Sequence, residues 1–213
     1  MSNVTLGALP TLLHGALATI GISAVSMCIA VMVGLIIGVL RILGGRVLNA
    51  LLIVFVEVFR GIPLLVLMFF SFFGLPQLGI QINGNNAAIL ALGVWGAANA
   101  SEIVRGAIIS ISHGQTEAAL SIGLGRLPTL VFVVFPQAAR RMVAPFMSLF
   151  TAVVVSSSLA ALISVLDLVE RGRVYVERFP PVALPVYLTV MVIYFLINYP
   201  ISIAAGKLER RLV

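Results

Sequence analysis

Residues 10–40 read PTLLHGALATIGISAVSMCIAVMVGLIIGVL, thirty-one positions without one Asp, Glu, Lys or Arg. A helix needs about 20 predominantly apolar residues to cross the hydrocarbon core of a bilayer. This run is longer, so it crosses with a tilt or begins with an interfacial turn, where His14 can sit. It closes at Arg41, Gly44, Gly45 and Arg46. The rest of the chain is of the same kind: 61% of the 213 residues are hydrophobic, 9% are charged, and the mean hydropathy is +1.19. An ordinary soluble domain carries about 25% charged residues, and a chain this apolar collapses or inserts rather than staying solvated. The composition therefore excludes both classes and implies an all-α polytopic membrane protein, read as a single transmembrane domain over residues 1–213.

Four further apolar runs follow. The second, from Leu48 to about Leu75, contains Glu57 and Arg60 ahead of Gly61-Ile62-Pro63, a combination that breaks or kinks a spanning helix. A chargeless, turn-rich stretch over 76–86 leads to the third, which starts near Ala87 and closes with Glu102 and Arg105. The fourth extends from Pro128 to about Leu166 and the fifth from about Val182 to Ala205; the charged residues from Asp167 to Arg178 between them read as a loop. Five spans are expected. Residues 1–13 hold no Lys or Arg, so the basic start of a cleaved signal is missing and the first span is expected to be retained.

Basic residues gather on cytoplasmic loops. With the N-terminus outside and the C-terminus inside, the inner side receives Arg41, Arg46, Arg126, Arg140, Arg141, Lys207, Arg210 and Arg211, while Arg171, Arg173 and Arg178 outside are matched by Asp167, Glu170 and Glu177. The net charge of +6 is thus a membrane signature, and no basic stripe interleaved with aromatics suggests nucleic acid. Cys28 is the single cysteine and reads as packing; His14 and His113 stand far apart without a carboxylate cluster, so no metal centre is expected.

On the inner side, between the third and fourth spans, lies Glu117-Ala118-Ala119-Leu120-Ser121-Ile122-Gly123, followed by Val133-Val134-Phe135-Pro136. It reads as a short cytoplasmic helix: Thr116 can cap it, Glu117 suits its positive end, and Gly123 or Gly125 can end it. Ala118 and Ala119 allow another backbone to approach, as in helix-in-groove docking. The pattern resembles the coupling motif of the permease subunits of ABC importers, with Val133-x-Phe135-Pro136 in place of the commoner Ile-x-Leu-Pro ending. The blocks Glu57-Val58-Phe59-Arg60-Gly61-Ile62-Pro63-Leu64-Leu65, Glu102-Ile103-Val104-Arg105-Gly106 and Leu208-Glu209-Arg210-Arg211-Leu212 are similar to the polar amino acid subfamily, which imports histidine, arginine, glutamine or glutamate. The resemblance covers about residues 10–213.

It implies a type I importer fold in a bacterial inner membrane: two permease subunits, identical or homologous, on two cytoplasmic ATPases, with an external solute-binding protein delivering the amino acid. Glu117, Ala118, Ala119 and Gly123 would couple to the ATPase. The chain is expected to bind no cofactor, with ATP and Mg on the partner. One part stands without the resemblance. Lys207 is the only lysine and Leu208 follows it, so no Gly-x-x-x-x-Gly-Lys-Ser/Thr phosphate loop exists in this sequence.

Glu57 and Arg60, three apart, share a helix face and are expected to pair within the membrane; Glu102 and Arg105 repeat the spacing. Asn99, Glu102, Ser156, Ser157 and Ser158 are candidates for the solute path, with helix packing the competing reading for Asn99 and the serines. The subfamily commonly places a Lys-Asp or similar polar pair where this chain has Val155 and Ser156, which removes charge from a span expected to line that path. An ATP-independent carrier or channel would need no docking segment and often shows paired repeats; a membrane-embedded enzyme would need a constellation that His14 and His113, near opposite faces, do not supply.

Overall fold

A computed structural model describes the backbone of residues 2–212 and the side chains of residues 7–208, so the side chains of Glu209, Arg210 and Arg211 lie outside the described residues. The chain is helical throughout: α1 (Ser2–Leu43), α2 (Arg46–Gly61), α3 (Leu64–Gln77), α4 (Gly84–Ile109), α5 (His113–Ser121), α6 (Arg126–Ile163), α7 (Leu168–Arg178) and α8 (Ala183–Leu212). Among the described residues, α1, α4, α6 and α8 are each long and apolar enough to cross a membrane. Helices α2 and α3 meet that test only together, bent by 100° at their junction, so the spans number four, or five if the bent pair is one.

The bend has a local cause. Pro63 has no N–H to give and forces the residue before it out of the helical region; Ile62 is accordingly extended (φ −79°, ψ 131°), and α3 restarts with Val66 N–H donating to Pro63 O at 2.9 Å. Two other prolines are absorbed differently. Stretches of π-helix at Phe70–Gly74 and Thr129–Val134 come just before Pro76 and Pro136, where a wider turn relieves the ring's clash with the preceding turn.

Helices α1 and α4 form the central seam. A Cβ on Gly34 would overlap Ala100, and one on Gly38 would stand 2.6 Å from the Val104 Cβ, so the two backbones are packed more closely than any larger residue permits. Ala97 and Ala100 face them from α4 and are fully buried. Much of the remaining surface of α1 and α8 stays apolar and exposed, Leu17, Ile36, Met191 and Phe195 among it, as lipid-facing or subunit-facing surface must be. Cys28, expected to be packing, sits on that exposed surface instead.

The stretch expected to be a charged loop is α7. Asp167 caps it by accepting the Glu170 N–H at 2.8 Å, Arg173 Nε donates to Glu170 at 2.8 Å, and Arg173 also pairs with Glu177, so the charges stabilise helical turns at i,i+3 and i,i+4 spacing. Leu168 N–H donates to Thr19 Oγ1 of α1 at 3.2 Å, fixing the start of α7 against the long helix.

Asp167 itself is buried with Oδ2 unpartnered among the described residues. Burial, and then the neighbouring Glu170 carboxylate, push its carboxyl up to about 7 from 3.8, against the pull of the cap hydrogen bonds. Between those values the folded chain holds a proton that the unfolded chain has released, so stability falls as pH rises from about 4 to 7 and loses nothing more from this group above that. Asp167→Asn keeps the cap acceptor and removes the titration. Its detergent-solubilised melting temperature is expected to lose less than that of the unsubstituted chain between pH 5 and 7.5, and to match or exceed it at pH 8. A lower melting point for the variant at pH 8 would contradict the buried-proton account.

Candidate functional site

Two features stand out: the exposed helix α5 and a cavity lined by residues of α2, α4 and α6. Helix α5 begins at His113, three residues before the expected cap, so Thr116 lies inside it and Ser112 occupies the N-cap position without a side-chain hydrogen bond. Its end follows the expectation for Gly123. Gly123 N–H donates to Leu120 O at 3.0 Å and Leu124 N–H to Ala119 O at 3.1 Å, the paired bonds of a Schellman motif, with Gly123 at φ +88° where a side chain would be strained.

The faces of α5 divide the motif. Gly114, Glu117, Ala118 and Ser121 are exposed on one side, whereas Ala119 is only 4% exposed on the other. Of the two alanines, then, Ala118 is open to a partner and Ala119 seats the helix on its own chain. Gln137 Nε2 of α6 donates to Gln115 Oε1 at 3.1 Å and to Val133 O at 2.7 Å. Arg141 Nη1 donates to Ser110 O at 2.7 Å and Ser110 Oγ at 2.9 Å, tying α6 to the end of α4. The short helix is thus bound to α6 by a side-chain contact, and α6 is bound in turn to the end of α4.

The cavity, about 540 Å³ and open-sided, is lined by Arg60, by Trp95, Asn99, Glu102 and Ile103 of α4, and by Pro145, Ser148, Leu149 and Ala152 of α6. The α4 set recurs at i, i+4, i+7 and i+8 and the α6 set at i, i+3, i+4 and i+7, so each is one helical face. Arg60 arrives from the last turn of α2, just before the break at Pro63. Asn99 Nδ2 donates to Trp95 O at 2.9 Å, which leaves its Oδ1 free to accept.

Glu102 is held by two guanidinium groups. Arg41, from the last turn of α1 and nearly buried, donates to Oε1; Arg105 donates to Oε2 through Nε at 3.0 Å and Nη2 at 2.8 Å. The expected Glu102–Arg105 pair is therefore present, with a third member that sequence spacing did not suggest. The expected Glu57–Arg60 pair is not: both side chains are exposed and no ion pair joins them among the described residues. Equal spacing on two helices gave different outcomes: Glu102 is held by Arg105 and by Arg41 of a neighbouring helix, whereas Glu57 and Arg60 are both exposed.

Of the candidate path residues, Asn99 and Glu102 line the cavity and Ser156, Ser157 and Ser158 do not. Ser157 is wholly buried and donates to Val154 O at 2.8 Å, and Ser158 donates to Val155 O at 2.7 Å, so each hydroxyl gives its one proton to its own helix. Ser148 went unremarked in the sequence. Its signal was the shared face with Pro145, Leu149 and Ala152. No group of three or more His, Cys, Asp or Glu suited to a metal ion occurs among the described residues.

A charged cavity among long apolar helices, with a short exposed helix following the end of one of them, is the arrangement of an integral-membrane transport component. Residues 30–213 match the binding-protein-dependent transport system inner membrane component family. The chain is 40% identical over 199 residues to the probable glutamine ABC transporter permease protein GlnP of Bacillus subtilis (strain 168), covering 92% of this chain and 91% of that one. It is 34% identical over 208 residues to the glutamine transport system permease protein GlnP of Escherichia coli (strain K12), covering 96% and 94%. The solved structure described as an amino acid ABC transporter with histidines superposes with a TM-score of 0.90 at 26% identity, over 97% of this chain and 96% of that one. The chain belongs to the family of binding-protein-dependent transport system inner membrane components. It is a permease subunit of an ATP-driven importer, not itself catalytic, and the carrier or channel reading is set aside.

The Arg41–Glu102–Arg105 group gives a thermodynamic prediction. Removing one partner of a fully buried pair costs about 3–5 kcal/mol; Glu102 is 20% exposed and keeps Arg105 when Arg41 is lost, so a smaller loss is expected. Arg41→Gln and Glu102→Gln should each lower the melting temperature of the solubilised chain, and the double variant should lose less than the sum of the two. Strictly additive losses would show that the contact carries no coupling energy.

Proposed function

We propose that this chain spans the membrane five times with its N-terminus outside and its C-terminus inside, that it works as one of two permease subunits on two cytoplasmic ATPases, and that an external solute-binding protein delivers a polar amino acid to it. Helix α5 is the coupling helix. The observation that carries this reading is its construction: an exposed face of Gly114, Glu117, Ala118 and Ser121, a backbone stop at Gly123, and a polar tie to α6, which is itself bound to the end of α4. Closure of the ATPases would move α5, and through it the long helices, between outward and inward access.

Glu117, Ala118, Ala119 and Gly123 keep distinct parts in this reading: the first two meet the ATPase, Ala119 seats the helix, and Gly123 ends it. The solute passes the cavity of Arg60, Asn99, Glu102 and Ser148. Glu102 is neutralised by Arg41 and Arg105, which leaves the cavity with surplus positive charge and no free carboxylate in its lining. That suits the carboxylate of an amino acid held by Arg60, with Asn99 Oδ1 accepting from its amine, and it disfavours a cationic side chain. A neutral polar amino acid such as glutamine, the solute in the names of the Bacillus subtilis and Escherichia coli relatives, fits best. Ser156, Ser157 and Ser158 serve packing.

Ala118→Trp places bulk on the exposed face without touching the seated one. In proteoliposomes containing the assembled transporter, uptake is expected to fall at least tenfold while the ATPase subunits still bind nucleotide; unchanged uptake would defeat the coupling assignment. For the path, Arg60→Gln is expected to raise the apparent KM for solute about tenfold, the worth of one charge-assisted hydrogen bond, with partial recovery in Arg60→Lys. An unaltered KM would remove Arg60 from the path.

A further inference from the structure

Beside α5 is a second cavity, of about 330 Å³, walled by Ile42 of α1, Ile109 of α4 and Leu130 of α6, with Arg126, His113 and Thr129 among its polar lining. Neither the solute path nor the docking face uses it. Thr129 is 2% exposed and its hydroxyl has no hydrogen-bond partner among the described residues. A helical threonine commonly donates to its own i−4 carbonyl, and a buried hydroxyl ordinarily finds some acceptor; the Thr129 hydroxyl does neither, although its N–H donates to Gly125 O at 2.9 Å.

The charges point the same way. Arg126 and His113 are exposed, neither takes part in an ion pair among the described residues, and no carboxylate lines the cavity. The site therefore offers a cation, an unpartnered hydroxyl and an apolar wall together. The position narrows the occupant: the apolar wall is built from the ends of three spanning helices, α1, α4 and α6, and the cation stands beside it, which is the arrangement of an acyl chain and its headgroup. We propose that this cavity is a binding site for one anionic phospholipid, with its phosphate against Arg126, its glycerol ester oxygens accepting from Thr129, and one acyl chain along Ile42, Ile109 and Leu130. The occupant backs α5 on the side of the helix away from Ala118.

The test is native mass spectrometry of the full-length chain in its purified complex, titrated with dioleoyl phosphatidylglycerol or dioleoyl phosphatidylcholine. One phosphatidylglycerol is expected to bind ahead of the rest, with a preference of about fivefold over phosphatidylcholine, the worth of one basic group beside anionic lipid. Arg126→Gln should abolish the preference, Ile109→Trp should remove the first-bound lipid of either type, and Arg178→Gln, on α7, should change neither. Excess inorganic phosphate should leave the bound lipid in place. Equal binding of the two lipids, an unaffected Arg126→Gln variant, an equal loss in Arg178→Gln, or displacement by inorganic phosphate would each overturn the proposal.

Discussion

Two apolar helices in a bilayer gain nothing by exchanging lipid for each other, so α1 is held to α4 by backbone proximity and by the polar groups that meet across the seam. Gly34 and Gly38 permit the approach, with Ala100 and Val104 seated where larger side chains would force the helices apart. Near the end of the same seam, Arg41 reaches Glu102. Small residues set the distance, and the ion pair sets the register along the axis. A carboxylate so far inside an apolar helix is tolerated because it is saturated, by Arg41 from one side and Arg105 from the other.

This seam determines where the cavity is. With Gly96, Ala97 and Ala100 spent on α1, the flank of α4 carrying Trp95, Asn99 and Ile103 is free to face α6. Glu102 touches both environments, so the interaction that fixes the scaffold also decides the electrostatics of the cavity. Its charge is consumed by the scaffold, and the cation left over is Arg60, delivered by a different element at a proline break. Under the proposed path, a cavity that keeps no free carboxylate in its lining is poorly matched to a cationic solute.

Much of this was legible in the sequence. Residues 10–40 could be nothing but a span, Pro63 broke the second run where Gly61 and Ile62 precede it, and Gly123 ended α5 in the one conformation that favours glycine. Local signals misled where partners came from elsewhere. Glu57–Arg60 and Glu102–Arg105 have identical spacing, yet only the second pair forms, and it gains Arg41, sixty-one positions before Glu102 in sequence. Asp167 to Arg178 was dense enough in charge to read as loop, yet those charges alternate at helical spacing and Asp167 is a cap. Ser157 is polar in a span but bonds its own backbone, and only the direction it faces, which depends on the packing of four helices, tells packing from path.

For α5 to act as a lever under the proposed coupling, its joints must be stiffer than whatever yields. At its N-terminal side the end of α4 is fixed to α6 through Arg141 and Ser110; within α5, Gln115 is bound by Gln137; at its C-terminal side the Schellman turn allows no slack before Arg126. The α2–α3 junction has nothing comparable: it is spanned by backbone hydrogen bonds around an extended Ile62 and a proline, and the exposed Arg60 beside it is unpaired among the described residues. Under the proposed coupling, displacement applied at α5 passes to α6 through Gln137 and on to α4 through the Arg141–Ser110 contact, and is taken up at the cavity wall they share with Arg60. The compliant joint lies next to the cationic side chain, so access to the cavity and the position of its charge change in one movement.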